Sequence, residues 1–281
     1  MLLKDFKPSP VTQDHVQFYR IVHLAFDKQV DVPFKAYPPR PEHCLAFYPL
    51  DTEKVVYENS GRIIESIPVV LYGQPVEVTH RHIGHQFLVL QVIFFPGSLY
   101  SLTGIPASEF TNEYLDAELF FSTSLREVNE QLYHANGYEH MIRIAEHFVE
   151  ELLKKRARKP DLADAACRLI LQQDGRISLD KLASQACLSH KQLERKFKER
   201  TGVNPMHYSR ITRFDKAFRL KNSFPHYDWL RIAIECGYHD YQHLAKDYKD
   251  FTGLTPVAFH QLENKAPERT FGLSENYQPY S

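Results

Sequence analysis

Two short stretches of this sequence hold the side chains best suited to grip and read a polyanion. Lys191, Glu194, Arg195 and Lys198 recur at spacings that a 3.6-residue repeat places on one helix face, opposite Leu193 and Phe197. Fifty residues on, Gln242, Lys246 and Lys249, with Tyr241 at the tip, stand opposite Leu244 and Tyr248. Arg can donate two hydrogen bonds to the edge of guanine, and Gln can exchange two with adenine. Lys neutralises phosphate without sensing sequence. Taken singly, each lysine reads equally well as a surface solubiliser. The matched placement of Arg195 and Gln242 on two helices weighs for recognition.

Other chemistry finds less support. His80, Arg81, His82 and His85 offer imidazoles of which two, His80 and His82, share one side of a strand. Gln86 stands where a carboxylate ligand would be wanted, so no metal site is expected and the residues read as hydrogen-bonded or exposed histidines. The chain lacks a phosphate-binding Gly-rich loop, a GxSxG and an HExxH. No catalytic residue and no cofactor is expected, and the protein reads as a non-enzyme. Cys44, Cys167, Cys187 and Cys236 stand singly, as reduced thiols of a cytoplasmic protein do. No apolar run is long enough to span a bilayer, and Lys4, Asp5 and Lys7 interrupt any leader-like core.

The elements that must carry the two basic faces are themselves repeated. Leu182-Ala183, Leu188-Ser189, Leu193, Phe197, Thr201-Gly202-Val203, Pro205 and Tyr208 match Ile232-Ala233, Tyr238-His239, Leu244, Tyr248, Thr252-Gly253-Leu254, Pro256 and Phe259. Each copy reads as a helix, a turn and a second helix. Ser178, Ser189, Asp228 and Asp240 are placed to cap the four helices, and Gly237 allows the second turn. A continuous helix from Met206 to about Lys221 should join the copies. Some 16 residues at 1.5 Å each give a rod of roughly 24 Å, fit to hold two probe helices near successive major grooves about 34 Å apart.

Charge divides the chain. Residues 1–153 hold 11 Lys and Arg against 20 Asp and Glu, whereas residues 154–262 hold 21 against 12. Only the second part suits a polyanionic partner. We expect an α+β protein. An amino-terminal β-barrel or sandwich over residues 1–153 ends in a helix pair, residues 154–160 form a basic linker, residues 161–262 form an all-α domain, and 263–281 is a tail. Short apolar runs (Leu45–Leu50, Lys54–Tyr57, Ile63–Tyr72, Val76–Val78, Phe87–Phe95) predict the strands. Leu115, Leu119, Ser122, Leu125, Val128 and Leu132 predict one helix, and Met141 to Leu152 a second, joined at Asn136-Gly137. That pair suits either a cover for the sheet or a dimer seam. The aromatic residues Phe47, Tyr48, Tyr57, Tyr72, Phe87, Phe94 and Phe95 suit a core, or the lining of an apolar pocket.

The quoted repeat resembles the DNA-binding domain of the AraC/XylS family over residues 161–262. The second copy, with Cys236-Gly237-Tyr238, Phe251-Thr252-Gly253-Leu254-Thr255-Pro256 and Phe259, is the more diagnostic. The resemblance implies a bacterial, cytoplasmic transcription regulator that binds double-stranded promoter DNA and contacts RNA polymerase. It also admits a homodimer, a small-molecule effector and a cupin-like amino-terminal domain. Base-reaching positions of the family fall on Lys191, Glu194, Arg195, Tyr241, Gln242 and Lys246. The chain departs from the family at Leu244 and Tyr248, where Phe is usual, and Asp240, Asp247 and Asp250 make the second reading helix less basic. Phe95-Pro96-Gly97 and Leu102-Thr103-Gly104 are similar to an uncharacterised amino-terminal domain on some of these regulators. Two alternatives remain open: a DNA-repair or methyl-transfer protein carrying this helical domain, and a partner-binding adaptor.

Overall fold

Alternation in three neighbouring strands organises the amino-terminal half. The computed structural model describes residues 1–121, 124–156 and 161–276. Its strands are β1 (Leu2–Phe6), β2 (Val16–Ala25), β3 (Lys35–Tyr37), β4 (His43–Phe47), β5 (Lys54–Tyr57), β6 (Ile63–Ile64), β7 (Val69–Tyr72), β8 (Thr79–His82), β9 (Gln86–Phe94) and β10 (Tyr114–Asp116). They form antiparallel sheets of six, in the order β1-β2-β9-β4-β7-β10, and of four, in the order β3-β8-β5-β6.

In the larger sheet Leu45, Phe47, Val69, Leu71, Leu90 and Val92 face one core, while Cys44, Ala46, Val70, Tyr72, Val89 and Ile93 face another with Val55 and Tyr57 of the smaller sheet. Because both faces of β4, β7 and β9 are buried, the runs read as continuously apolar rather than alternating. The first core is completed by α1 (Ser98–Thr103), α2 (Leu125–Tyr133) and α3 (Tyr138–Arg156). Leu125, Val128, Leu132, Met141, Ala145, Phe148 and Leu152 of the helix pair are buried on the sheet. The cover reading therefore accounts for the apolar stripe.

Several expected boundaries shift. Ile63–Tyr72 breaks at Ser66, whose φ is 65°, and Val76–Val78 lies just before β8 rather than in a strand. Leu115 lies in β10, and Leu119, 76% exposed, lies in a short 3-10 turn. The helix expected from that spacing begins only at Leu125; Ser122 lies outside the described residues. Strands β1 and β2 had no counterpart among the expected runs. Of the basic junction, residues 154–156 continue α3, and 157–160 lie outside the described residues.

The second half is helical: α4 (Leu162–Gln172), α5 (Leu179–Gln185), α6 (His190–Thr201), α7 (Pro205–Ser223), α8 (Trp229–Glu235), α9 (Tyr241–Thr252) and α10 (Pro256–Glu263). Cores under α4–α6 and under α8–α10 lie on either side of α7, which supplies Tyr208 to one and Ile211, Phe214, Phe218 to the other. Its 19 residues make a rod of about 28 Å.

Candidate nucleic-acid interface

The repeat is carried down to individual hydrogen bonds. Helix α6 opens on Ser189, whose Oγ accepts from the Gln192 amide while the Gln192 side chain accepts from the Ser189 amide, a reciprocal cap. Helix α9 opens on Asp240, which accepts from the His243 amide at 2.9 Å. Each helix closes on a glycine in the left-handed region, Gly202 at φ 85° and Gly253 at φ 71°. Before each glycine a threonine hydroxyl donates back one turn, Thr201 to the Phe197 carbonyl at 3.0 Å and Thr252 to that of Tyr248 at 2.7 Å. Asn204 and Thr255 then cap the next helices, each with proline at its first position. The turns correspond too: Cys187 at φ 52° occupies the place of Gly237 at φ 79°.

This scheme fixes which faces remain outside. Leu193 and Phe197, and Leu244 and Tyr248, are buried to within 1%. Lys191, Glu194, Arg195 and Lys198 on α6, and Gln242, Lys246 and Lys249 on α9, are exposed, with Tyr241 half-buried at the tip. None of the five cations among them belongs to an ion pair among the described residues. The two sets are thus solvent-facing on helices held by equivalent cores.

Other charges of the helical half are occupied internally. Arg210 donates to Asp247 at 2.7 Å and to Asp250 at 2.5 Å, and Tyr238 donates to Asp247 at 3.0 Å. Asp247 is therefore a buried strut and not a surface acid, and Asp240 is a cap. The side chains of Asp240 and Asp250 stay partly exposed, at 42% and 44%, and Asp247 alone of the three is buried. Lys216 pairs with Asp174 at 2.6 Å, while Arg219 pairs with Asp215 and with Glu42 at 2.7 Å.

The two halves are joined along α6 and α7. His43 Nε2 donates to the carbonyl of Thr201 at 3.2 Å, Thr111 Oγ1 to that of Gly202 at 3.0 Å, and the Tyr208 hydroxyl to that of Pro41 at 3.2 Å. Burial lowers the His43 pKa to about 4, only partly opposed by the Thr201 bond, so the ring is neutral near pH 7. The carboxyl-terminal end of α6 thus rests on the sandwich while its amino-terminal turns stay outside.

The histidines of β8 and its following turn do not converge. His80 lies 3.0 Å from Glu58 and packs at a tilt against Phe34, while His85 Nε2 donates to the Val30 carbonyl at 3.0 Å. Arg81, on the opposite face, is buried against Glu53 at 2.9 Å and Tyr37. Among the described residues, three potential ligand groups come together at His239, Asp240 and His243, on the exposed tip of α9. Asp240 is already committed there to capping. Cys44, Cys167 and Cys236 are buried, and burial raises all three thiols, Cys236 to about 12. Such thiols stay protonated and do not suit a methyl acceptor.

A pocket lies in the sandwich mouth. Leu3, Val22, Leu24, Ile83, Phe87 and Val89 line one end, and Arg20, Lys35, Glu268 and Glu275 the other, around a cavity of about 60 Å³. The carboxylates come from residues after α10, which carried no signal in the sequence.

Fold and exposed faces together define a class: a β-sandwich followed by paired helix-turn-helix units that each present a helix with an exposed polar face. A family profile described as "Helix-turn-helix domain" matches residues 182–261, and this carboxyl-terminal region is a helix-turn-helix domain of the AraC type. The "HTH-type transcriptional regulator ArgR" of Pseudomonas aeruginosa is 27% identical over 97 residues, which are 34% of this chain and 29% of that relative's length. Among solved structures, ToxT of Vibrio cholerae covers 87% of this chain and 98% of its own, at 11% identity and a TM-score of 0.50. ToxT bound to (E)-4-(8-methylnaphthalen-1-yl)but-3-enoic acid gives 13% identity, 87% and 99% coverage, and the same TM-score of 0.50. This likeness extends through both halves and establishes a shared architecture. No helix of the described residues is long and apolar enough to cross a membrane.

Proposed function

We propose that the chain is a sequence-specific transcription regulator, without catalytic activity, in which α6 and α9 enter two adjacent major-groove segments of double-stranded DNA. Arg195 and Gln242 contact base edges, with Lys191, Glu194, Tyr241 and Lys246 beside them. Lys198 and Lys249, later on each helix, contact phosphates. The observation that carries this reading is the pair of exposed polar faces on two helices capped at equivalent positions, with buried opposite faces. One monomer then reads two unlike half-sites, so its site need not be palindromic. Contact with RNA polymerase and a cytoplasmic location follow from the same reading.

The sandwich is the sensing part. Its pocket pairs an aliphatic end with Arg20 and Lys35, which suits a small carboxylic acid with an apolar body. The ToxT complex with an aryl-butenoic acid supports this class of effector. Selection of bound fragments from genomic DNA, followed by footprinting, tests the regulator reading. Two protected segments about one helical turn apart are expected. Salt-insensitive retention without enrichment of any sequence would overturn it and favour the adaptor.

A further inference from the structure

The segment after α10, which carries Glu268 and Glu275, does not stay with the helical domain that precedes it. Residues 266–275 cross to the sandwich, where Phe271 packs on Phe26 with centroids 5.0 Å apart and Leu273 joins the inter-sheet core. Three carboxylates converge on Lys35: Glu268 in direct contact, Glu275 at 2.9 Å and Glu263 at 3.7 Å. Glu275 also takes a hydrogen bond from Arg40 Nη1 and lies 3.9 Å from Arg20. On the other side Asn222 of α7 donates to the Glu275 carbonyl at 3.1 Å and accepts from Arg269 at 2.8 Å. The segment therefore touches both halves at once.

The cradle around Glu275 is built for a carboxylate. Arg40 is fully buried between Tyr37 and Phe218, and its Nε and Nη2 have no acceptor among the described residues. A buried guanidinium left short of acceptors is costly, so a single carboxylate beside it is held firmly but incompletely. Burial alone would raise the Glu275 carboxyl; Arg40, then Lys35, Arg20 and Arg219 outweigh it and hold the group well below the usual carboxylate range. Burial, reinforced by Glu268 and Glu275 and opposed by Lys35, pushes Glu263 up to about 7. Arg40 and Lys35 thus contact one strongly ionised carboxylate beside the pocket, with Arg20, itself paired to Asp5, 3.9 Å away.

We propose that residues 266–275 form a tethered stopper, in which Glu275 supplies the carboxylate that a bound apolar acid would otherwise place between Arg20, Lys35 and Arg40. The inference rests on the carboxylic-acid reading of the pocket given above. Because Asn222 and Arg269 tie the stopper to α7, its expulsion removes a clasp between sandwich and DNA-binding domain. Effector and stopper compete for one site, so each lowers the other's affinity by the same factor.

Octanoate, with octan-1-ol as the uncharged control, tests this on the full-length chain. Calorimetry measures affinity in wild type, Glu275→Gln and Phe271→Ser, the last acting on the stopper's apolar anchor away from the cations. Both variants should bind octanoate about tenfold more tightly, since removing a competitor raises the binding-competent fraction, while octan-1-ol gains less. In wild type, saturating octanoate should speed amide exchange over residues 266–275 about tenfold or more. Equal octanoate affinity in all three proteins, with unchanged exchange, overturns the stopper and leaves the carboxylic-acid pocket standing. Absence of octanoate binding in every protein, when both variants show accelerated exchange over 266–275, instead overturns the acid reading, and the competition with it.

Discussion

His43 Nε2 lies 3.2 Å from the carbonyl oxygen of Thr201, joining strand β4 of the sandwich to the last residue of the first reading helix. The ring is 3% exposed, and burial lowers its pKa from 6.5 to about 4. An unfolded chain therefore takes up a proton at this position below pH 6.5, which the folded chain refuses until about pH 4. Stability from the neutral ring is present above pH 6.5 and is lost as pH falls toward 4. The melting temperature of wild type should drop more steeply across that window than that of His43→Asn. Parallel profiles would show that the pair does not couple folding to pH. His15, His23, His207 and His260 are shifted down as well, mainly by burial, and the variant difference removes their common contribution.

Gly202 and Gly253 occupy equivalent places in the repeat but differ in surroundings. A Cβ on Gly253 meets open space, whereas one on Gly202 would lie 2.3 Å from Thr111 Oγ1 and 3.0 Å from the Ala107 carbonyl oxygen. Gly253→Ala should cost only the left-handed backbone penalty, about 1 kcal/mol. Gly202→Ala adds a clash at the junction with the sandwich, for about 2–4 kcal/mol in total. Chemical denaturation of the two variants decides; equal losses would mean that the Thr111 contact gives way freely.

Arg195 and Lys198 should separate base reading from phosphate contact on the same helix. Arg195→Ala is expected to weaken the selected site by about 1–3 kcal/mol while leaving nonspecific binding nearly unchanged. Lys198→Ala should weaken all duplexes alike and reduce the salt slope by about one. Titrations of one selected and one scrambled duplex at several salt concentrations check both. A uniform loss for Arg195→Ala would remove it from the base-reading set.

What could be read in advance follows from how far apart interacting residues stand in sequence. Caps such as Ser189 and Asp240, the Leu193 and Phe197 stripe and the closing glycines act within one or two helical turns, so their periodicity carried the helical half almost residue by residue. Strand β1 pairs only with β2, Leu3 opposite Val22, and nothing local in Leu2–Phe6 announces that partner. Leu115 and Leu119 fit a helical spacing by coincidence; pairing of Leu115 with Leu71 across β10 and β7 decided its conformation. Glu268 and Glu275 stand in an aperiodic stretch, and their partner Lys35 lies more than 200 residues away. The exposed polar faces of α6 and α9 were legible because the motif itself is local, whereas the pocket is assembled from distant segments.

Asp247 offers the sharpest contrast between sequence and structure at the second reading helix. Read as a surface acid it would repel phosphate, and Asp247→Asn would raise DNA affinity. In the structure its carboxylate is buried, 2.7 Å from Arg210 and 3.0 Å from the Tyr238 hydroxyl, so it fixes α9 on α7 and on the turn before it. Neutralising it leaves the half-buried Arg210 with Asp250 alone and weakens a charge-assisted network, a loss of about 1–3 kcal/mol. Asp250→Asn removes only the exposed partner and should cost less than about 1 kcal/mol, with a modest gain in DNA affinity at low salt. Denaturation curves should therefore shift clearly for Asp247→Asn and little for Asp250→Asn, while duplex titrations should show a gain for Asp250→Asn alone. Tighter DNA binding by Asp247→Asn at unchanged stability would return Asp247 to the surface and reopen the orientation assigned to α9.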